Sequence, residues 1–276
     1  MKPARRIKLG LIGDNISASR APDLHRIAGD LSNLTVQYDR LVPRDMSKTF
    51  DEIFAVCPAL GYNAINVTYP YKERAIAKVT TDDPLVRAIA AINTVVFAND
   101  MVTGFNTDYS GFVEAYKKKG PNHSPGICCL VGTGGVGRAL AFGLITLGAE
   151  EIRLLDRDQS KSQQLANDLN ALGTTIKVQA MSDINQATAG CDGLLNGTPV
   201  GMLGYPGSPF TASQVSRATW VFDAVYTPME TDFLKMAQDT KTHVISGYEL
   251  FFYQGVHAWR HFSGVDVDEQ KLRAAL

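Results

Sequence analysis

Three features of the sequence predict an α/β fold of two domains. Short apolar runs alternate with amphipathic stretches along the chain, the rhythm of strands layered with helices. A polar segment, Pro121-Asn122-His123-Ser124-Pro125-Gly126, breaks that rhythm and reads as a linker. Directly after it, an apolar run passes through a glycine-rich turn into a helical stretch. With 276 residues the chain can bury two cores.

In order, Leu9–Gly13 reads as a strand, Pro22–Leu31 as a helix and Thr35–Leu41, which alternates, as a second strand. Met46–Leu60 has helical spacing, and Ala64–Thr68 is a third strand. Pro70 is expected to open the next helix, in the first position that proline favours. Asn93–Ala98 and Val102–Thr107 form a hairpin around Asn99-Asp100. Asp108–Lys119 is a helix, and its closing Lys117-Lys118-Lys119 suits the negative end of the helix dipole. Beyond the linker, Ile127–Val131 is a strand, Arg138–Leu147 a helix and Glu151–Asp156 a strand. Later strands are Gly193–Asn196, Trp220–Ala224 and Thr242–Ser246, before a long apolar helix Glu249–Phe262.

Composition excludes several roles. A formal net charge of −1 gives no reason to expect nucleic acid or an anionic membrane as partner. No stretch approaches the roughly 18 apolar residues of a membrane span. The opening Met1-Lys2-Pro3-Ala4-Arg5-Arg6 runs straight into a strand with no apolar signal core. Cys57, Cys128, Cys129 and Cys191 make no C-x-x-C pair, which suits a reducing, cytoplasmic setting. Cys128 and Cys129 are adjacent in a strand and should face opposite sides as small hydrophobes.

The glycine turn carries the first chemistry. Gly132-Thr133-Gly134-Gly135-Val136-Gly137 sits between a strand and a helix, as a dinucleotide-binding turn requires. Gly132 permits the tight turn, Gly134 lets the backbone approach a pyrophosphate, and Gly137 lets helix and strand pack closely. N–H groups at the helix start would hold the phosphates. Asp156 ends the next strand at about the expected 20-residue spacing. A carboxylate there accepts from a ribose 2′-hydroxyl and repels a 2′-phosphate, so NAD is favoured. Arg157 follows at once and leaves NADP open; Asp158 is a second acid at the same place. The unit from this turn onward reads as a Rossmann-like dinucleotide-binding domain.

Hydride transfer from an alcohol carbon also needs a partner for the hydroxyl proton. Lys72 lies in Asn66-Val67-Thr68-Tyr69-Pro70-Tyr71-Lys72, in a first helical turn where its charge opposes the dipole. Stability alone would favour an acid there. A solvated surface lysine is the plain alternative. Asp108, in Asn106-Thr107-Asp108, can pair with a lysine, though Asp at a helix start is also a preferred N-cap. His257 and His261 are four residues apart on a helix but lack the glutamate of a zincin, so no metal site is expected. His25 reads as a structural contact near the first helix.

Taken together, these segments resemble the shikimate dehydrogenase family, in its NAD-preferring quinate/shikimate dehydrogenase branch. The likeness is carried by Asn66–Lys72, Ala91-Ile92-Asn93-Thr94, Asn106–Asp108, Gly132–Gly137, Asn196-Gly197-Thr198-Pro199-Val200-Gly201-Met202 and Gly247–Gln254, in this order. The resemblance implies an N-terminal substrate domain over 1–108, rejoined by 245–276, a Rossmann-like NAD domain over 109–244, and a cleft between them. It implies Lys72 as proton acceptor paired with Asp108. Ser19, Thr68, Asn93, Tyr226 and Gln254 would hold a cyclic polyol acid, and Asn66 would support the loop. Asn196, Thr198, Ala224 and Gly247 would lie near the cofactor, with Gly132, Thr133, Gly134, Gly135, Val136, Asp156 and Arg157.

One departure stands out. The family carries two hydroxyls at Ser-x-Ser-Pro or Ser-x-Thr-Pro, and here the segment is Ser19-Arg20-Ala21-Pro22. Loss of one hydrogen bond to a charged group costs on the order of 1.5–3 kcal/mol. Ser17, on the same face as Ser19 if the segment is extended, is expected to compensate in part. The departure equally suits a modified or amino-shikimate-like substrate. A dinucleotide sensor without catalysis is a third reading, but it needs neither Lys72 nor Asp108. The protein is expected to be a monomer or homodimer.

Overall fold

The computed structural model describes residues 5–276; the first four residues of the opening read above lie outside the described residues. The chain divides into two compact units. One comprises the described residues up to Thr107 with Gln254–Leu276, and the other Asp108–Tyr253.

The first unit begins β1 (Arg6–Ile12), α1 (Ala21–Leu31), β2 (Thr35–Leu41), α2 (Phe50–Val56), β3 (Ala64–Val67) and α3 (Lys72–Ala75). A 3-10 turn Ile76–Lys78, α4 (Pro84–Ile89), β4 (Thr94–Ala98) and β5 (Met101–Phe105) follow. The sheet order is β2-β1-β3-β4-β5. β2, β1 and β3 are parallel, while β4 runs antiparallel to both its neighbours. Asn99 and Asp100 both take positive φ, 51° and 62°, as the expected two-residue hairpin turn requires. Phe50, Ile65, Val67, Ile92 and Val95 share one buried cluster.

The second unit opens with α5 (Thr107–Lys119), β6 (Ile127–Val131), α6 (Gly135–Thr146), β7 (Glu151–Leu155), α7 (Gln159–Asn170) and β8 (Lys177–Ala180). It continues with α8 (Ile184–Thr188), β9 (Gly193–Asn196), α9 (Ala212–Val215), β10 (Trp220–Asp223), α10 (Asp232–Asp239) and β11 (His243–Ile245). The chain returns to the first unit within α11 (Gly247–Ser263), and α12 (Glu269–Ala275) closes it. The six strands are all parallel, in the order β11-β10-β9-β6-β7-β8. That is a doubly wound sheet whose order reverses between β6 and β9, and ligands of such sheets bind at the strand ends beside the reversal. Cys128 and Cys129 point to opposite faces of β6 and both are fully buried, so helices cover both faces.

Local chemistry moved several boundaries from their expected places. The helix expected over 46–60 spans only Phe50–Val56. Ser47 takes φ 51°, and Thr49 caps the helix through a reciprocal box with Glu52. Pro70 does not open α3: the Tyr71 N–H donates to the Thr68 carbonyl at 2.9 Å, closing a turn, and Lys72 is the first helical residue. Asp108 is not an N-cap. It is the second residue of α5, and the first helical N–H, of Thr107, donates to the Asn93 side chain at 2.7 Å. α6 starts at Gly135 rather than Arg138, because Gly134 is its cap and accepts from the Arg138 N–H at 2.8 Å. No helix among the described residues is long and apolar enough to cross a membrane.

Candidate active site

The sequence-predicted cofactor residues lie at the carboxyl ends of strands of the second unit. Gly132 follows β6 with φ 91°, and a Cβ there would lie 2.6–2.8 Å from Thr198 and Gly197. A Cβ at Gly137 would lie 1.9 Å from the Gly132 carbonyl oxygen. Glycine is thus demanded by backbone meeting backbone. Gly134, Gly135 and Val136 are partly exposed at the start of α6, which no side chain caps, so its leading N–H groups can take an anion. The arrangement fits a dinucleotide pyrophosphate.

Asp156 lies just past β7. Its Oδ2 accepts from the Thr133 N–H at 2.7 Å and from the Thr133 hydroxyl at 3.0 Å; its Oδ1 accepts from the Asp158 N–H at 3.0 Å. Asp158, the second acid at this place, is occupied as the cap of α7, accepting from the Ser160 N–H and hydroxyl. Arg157 is exposed between them.

Beside β6, the loop after β9 is wired through Asn196. Its Nδ2 donates to the Val200 carbonyl and to Asp223 Oδ1, each at 2.9 Å. Its Oδ1 accepts from the Thr198 N–H and hydroxyl at 3.0 and 2.7 Å. That accounts for both donors and both lone pairs of the amide, so Asn196 shapes the loop. Asp223 was not singled out from the sequence. Fully buried at the end of β10, it also accepts from the Val225 N–H at 3.0 Å and the Thr231 hydroxyl at 2.6 Å. Burial pushes its carboxyl up to about 6, against the pull of the bonds from Thr231, Val225 and Asn196. The Ala224 N–H donates to the Asn196 carbonyl at 2.9 Å. A Cβ at Gly247 would strike the carbonyls of Val225 and Asp223 at 2.4 and 2.7 Å. Tyr226 stacks on Phe251 at 4.8 Å.

In the first unit, Lys72 is half-buried, and its carbonyl accepts from the Ile92 N–H at 3.0 Å, which ties α3 to the segment carrying Asn93. Thr68 follows β3, its N–H bound to the Ile12 carbonyl at 2.9 Å. Asn93 is buried, and its orientation is forced. A backbone N–H can only donate, so the bond from Thr107 N–H identifies the oxygen as Oδ1. The Nδ2 then points the other way and donates to Gln254 Oε1 at 3.5 Å. Asn66 is fixed by the converse, since the Asn93 carbonyl can only accept and so must meet Nδ2. Tyr38 OH donates to its Oδ1 at 2.8 Å, and its Nδ2 donates to the Asn93 carbonyl at 3.2 Å. Thr94 and Thr107 hydroxyls, 2.9 Å apart, complete this cluster and were missed as members of it. Thr107 was legible only as the middle of Asn106-Thr107-Asp108.

Ser19 Oγ accepts from the Ala21 N–H at 3.3 Å at the start of α1. Ser17 lies in a turn closed by the Ser19 N–H and the Ile16 carbonyl at 3.0 Å, so the extended segment expected to align Ser17 with Ser19 is absent. Asp108 is buried in the first turn of α5, where its charge suits the helix dipole. The units divide the predicted set: Ser19, Thr68, Lys72, Asn93 and Gln254 belong to the first, Asp108, Tyr226 and the cofactor residues to the second.

Two histidines pack on aromatic rings. His25 is buried and stacks on Tyr38 at 5.3 Å against Trp259 and Phe262; burial pushes its imidazole down to about 3. His261 stacks on Phe105 at 3.8 Å. Among the described residues no group of three or more His, Cys, Asp or Glu side chains is placed to hold a metal.

Residues 11–95 match the model of the shikimate dehydrogenase substrate binding domain. Residues 127–193 match that of the coenzyme F420-dependent NADP oxidoreductases. A quinate/shikimate dehydrogenase (NAD(+)) of Corynebacterium efficiens is 34% identical over 274 residues, 97% of this chain and 96% of that protein. A shikimate dehydrogenase (NADP(+)) of Pseudarthrobacter chlorophenolicus is 30% identical over 96% of this chain and 92% of its own. Among solved structures, quinate dehydrogenase from Corynebacterium glutamicum in complex with NAD superposes with a TM-score of 0.89 at 33% identity, covering 98% of each chain. With identity of this extent running through both units, the chain belongs to the shikimate dehydrogenase family.

Proposed function

We propose that this protein is an NAD-dependent dehydrogenase acting on a hydroxyl of a cyclic polyol acid of the quinate/shikimate type. The observation that carries the reading is the near full-length identity to NAD-dependent quinate/shikimate dehydrogenases. The strand-end assembly of Gly132–Gly137, Asp156 and Asn196–Thr198 supports it. NAD, when bound, supplies the hydride acceptor, and NADP is the secondary cofactor. The first unit serves as the substrate domain and the second as the dinucleotide domain.

The chain's own residues take the remaining parts. Lys72 Nζ accepts the hydroxyl proton, and Asp108 is the second catalytic residue. Asn93 and Gln254, with Thr68, orient the ring hydroxyls; the fixed direction of the Asn93 amide presents an N–H donor, so the group it meets must accept. Ser19 and Tyr226 complete the substrate set. Ala21 favours a second reading within the same chemistry, a modified or amino-shikimate-like substrate, since Ser19-Arg20-Ala21-Pro22 offers no second hydroxyl. We place the protein in the cytoplasm, where its four buried free thiols stay reduced, as a monomer or homodimer.

The test is reduced-nicotinamide absorbance with NAD or NADP and a panel of quinate, shikimate and modified analogues. Lys72→Ala should lower kcat by about 10²–10⁴, the range of general acid–base catalysis, while NAD binding persists. No turnover of any cyclic polyol acid by the unmodified protein would sink the reading.

A further inference from the structure

The geometry points to Thr133 as a residue that determines the choice between NAD and NADP, by holding Asp156 in place. This deepens the cofactor reading above and rests on it.

Thr133 occupies the second position of the glycine turn, where the motif itself makes no demand on the side chain. Yet it is 3% exposed, and it spends both of its donors on one atom. Its N–H and its hydroxyl reach Asp156 Oδ2 at 2.7 and 3.0 Å. An ionised carboxylate only accepts, so the hydroxyl must be the donor, and only serine or threonine can supply that pair. The other carboxylate oxygen is held from the opposite side by the Asp158 N–H at 3.0 Å. The turn and the strand end are stitched once more by the Gly132 N–H to the Leu155 carbonyl at 2.8 Å. Both oxygens are therefore restrained, and the carboxylate cannot rotate away from the mouth of the turn.

A rotatable acid at this place could swing aside from a 2′-phosphate. A tethered one cannot, and it keeps a lone pair set for a 2′-hydroxyl. Exposed Arg157, which would otherwise welcome the extra phosphate, is thereby overruled by a fixed negative charge beside it. The hydroxyl of Thr133 is the one side-chain donor in this clamp, tightening what the two backbone N–H groups hold.

Thr133→Val keeps the buried volume and removes the hydroxyl, and Thr133→Ser keeps the hydroxyl and removes the methyl. NAD and NADP affinities are measured by calorimetric titration of the full chain without a cyclic acid. In Thr133→Val the ratio of NAD to NADP affinity should fall by roughly tenfold or more, the loss of a hydrogen bond to a charged group. Thr133→Ser should restore it. A general loosening of the turn would weaken both cofactors alike. An unchanged ratio in Thr133→Val, or a parallel loss for both cofactors, overturns the assignment. An unmodified protein that binds neither dinucleotide overturns the cofactor reading itself, and this assignment with it.

Discussion

At Asn93 the first unit fixes its backbone with side chains. A phenol, two amides and two hydroxyls interlock in a buried cluster; the Asn93 amide is set by a backbone N–H that can only donate, and the Asn66 amide by a backbone carbonyl that can only accept. At Gly132 the second unit fixes its backbone largely by omitting side chains. Gly132 and Gly137 have no room for a Cβ, because a neighbouring loop and a carbonyl occupy the space. The contrast follows from what each region would present. A polyol ring is met by directed side-chain donors and acceptors, whereas a pyrophosphate is met by bare N–H groups that any side chain would shield. A side-chain network degrades in steps when one member is changed. A glycine turn has no intermediate state.

The sharpest way to break that comparison is Gly137→Ala. The added carbon would sit 1.9 Å from a backbone oxygen, and backbone cannot turn aside as a flexible side chain can. Overpacking of a core costs about 1–3 kcal/mol, and a backbone clash falls at the upper end or beyond. Dinucleotide affinity should drop by at least roughly a hundredfold in a calorimetric titration. A dissociation constant within a few-fold of the unmodified protein would show that the turn yields after all.

Asp223, like its partner Asn196, departs from that pattern within the second unit as a buried side-chain hub at the end of β10, and it gives a pH-dependent handle. Its folded-state carboxyl is raised to about 6 from an ordinary 3.8, so the folded protein holds this proton more tightly than the unfolded chain. Stability therefore falls as pH rises from 3.8 through 6, with the full cost present above 6. Asp223→Asn removes the charge while its oxygen can still accept from Val225 and Asn196. Denaturant unfolding at pH 4 and pH 7 should show the variant gaining on the unmodified protein by about 1–3 kcal/mol between the two. A difference that does not vary with pH would mean that Asp223 pays no charging cost where it lies.

Strands were the most legible part of the sequence. The expected ranges 35–41, 127–131 and 193–196 are the observed β2, β6 and β9, because apolar runs bounded by turn residues leave little freedom. Helix starts were less legible. α2 begins where Thr49 and Glu52 box its first turn, and α5 begins where Asn93, distant in sequence, accepts its first N–H. No local pattern reports an acceptor from elsewhere in the chain. α7 was passed over although Ser162, Leu165, Ala166 and Leu169 bury one helical stripe; a serine in that stripe and polar neighbours hid the spacing. Among the site residues, the glycines were readable by type and position. Tyr38, Thr107 and Asp223 were not, since their importance lies in which buried partners they meet.

The mildest test concerns the far side of the first unit's cluster. Tyr38 OH donates to Asn66 Oδ1, and its ring stacks on neutral His25. Tyr38→Phe deletes the hydroxyl and keeps the stack, so it isolates one bond. Asn66 Oδ1 would then lose the phenol as a donor, a loss of about 1–2 kcal/mol. For a chain of this size that corresponds to a fall in melting temperature of roughly 2–6 °C. Asn66 would keep its bond to the Asn93 carbonyl, and Asn93 its bond from Thr107, so the amide facing Gln254 would hold its direction. The Michaelis constant for the cyclic acid should therefore rise only a few-fold while stability drops. If Tyr38→Phe instead matched Gly137→Ala in severity, the first unit's cluster would have to be a single all-or-none device, and the contrast with the glycine turn would disappear.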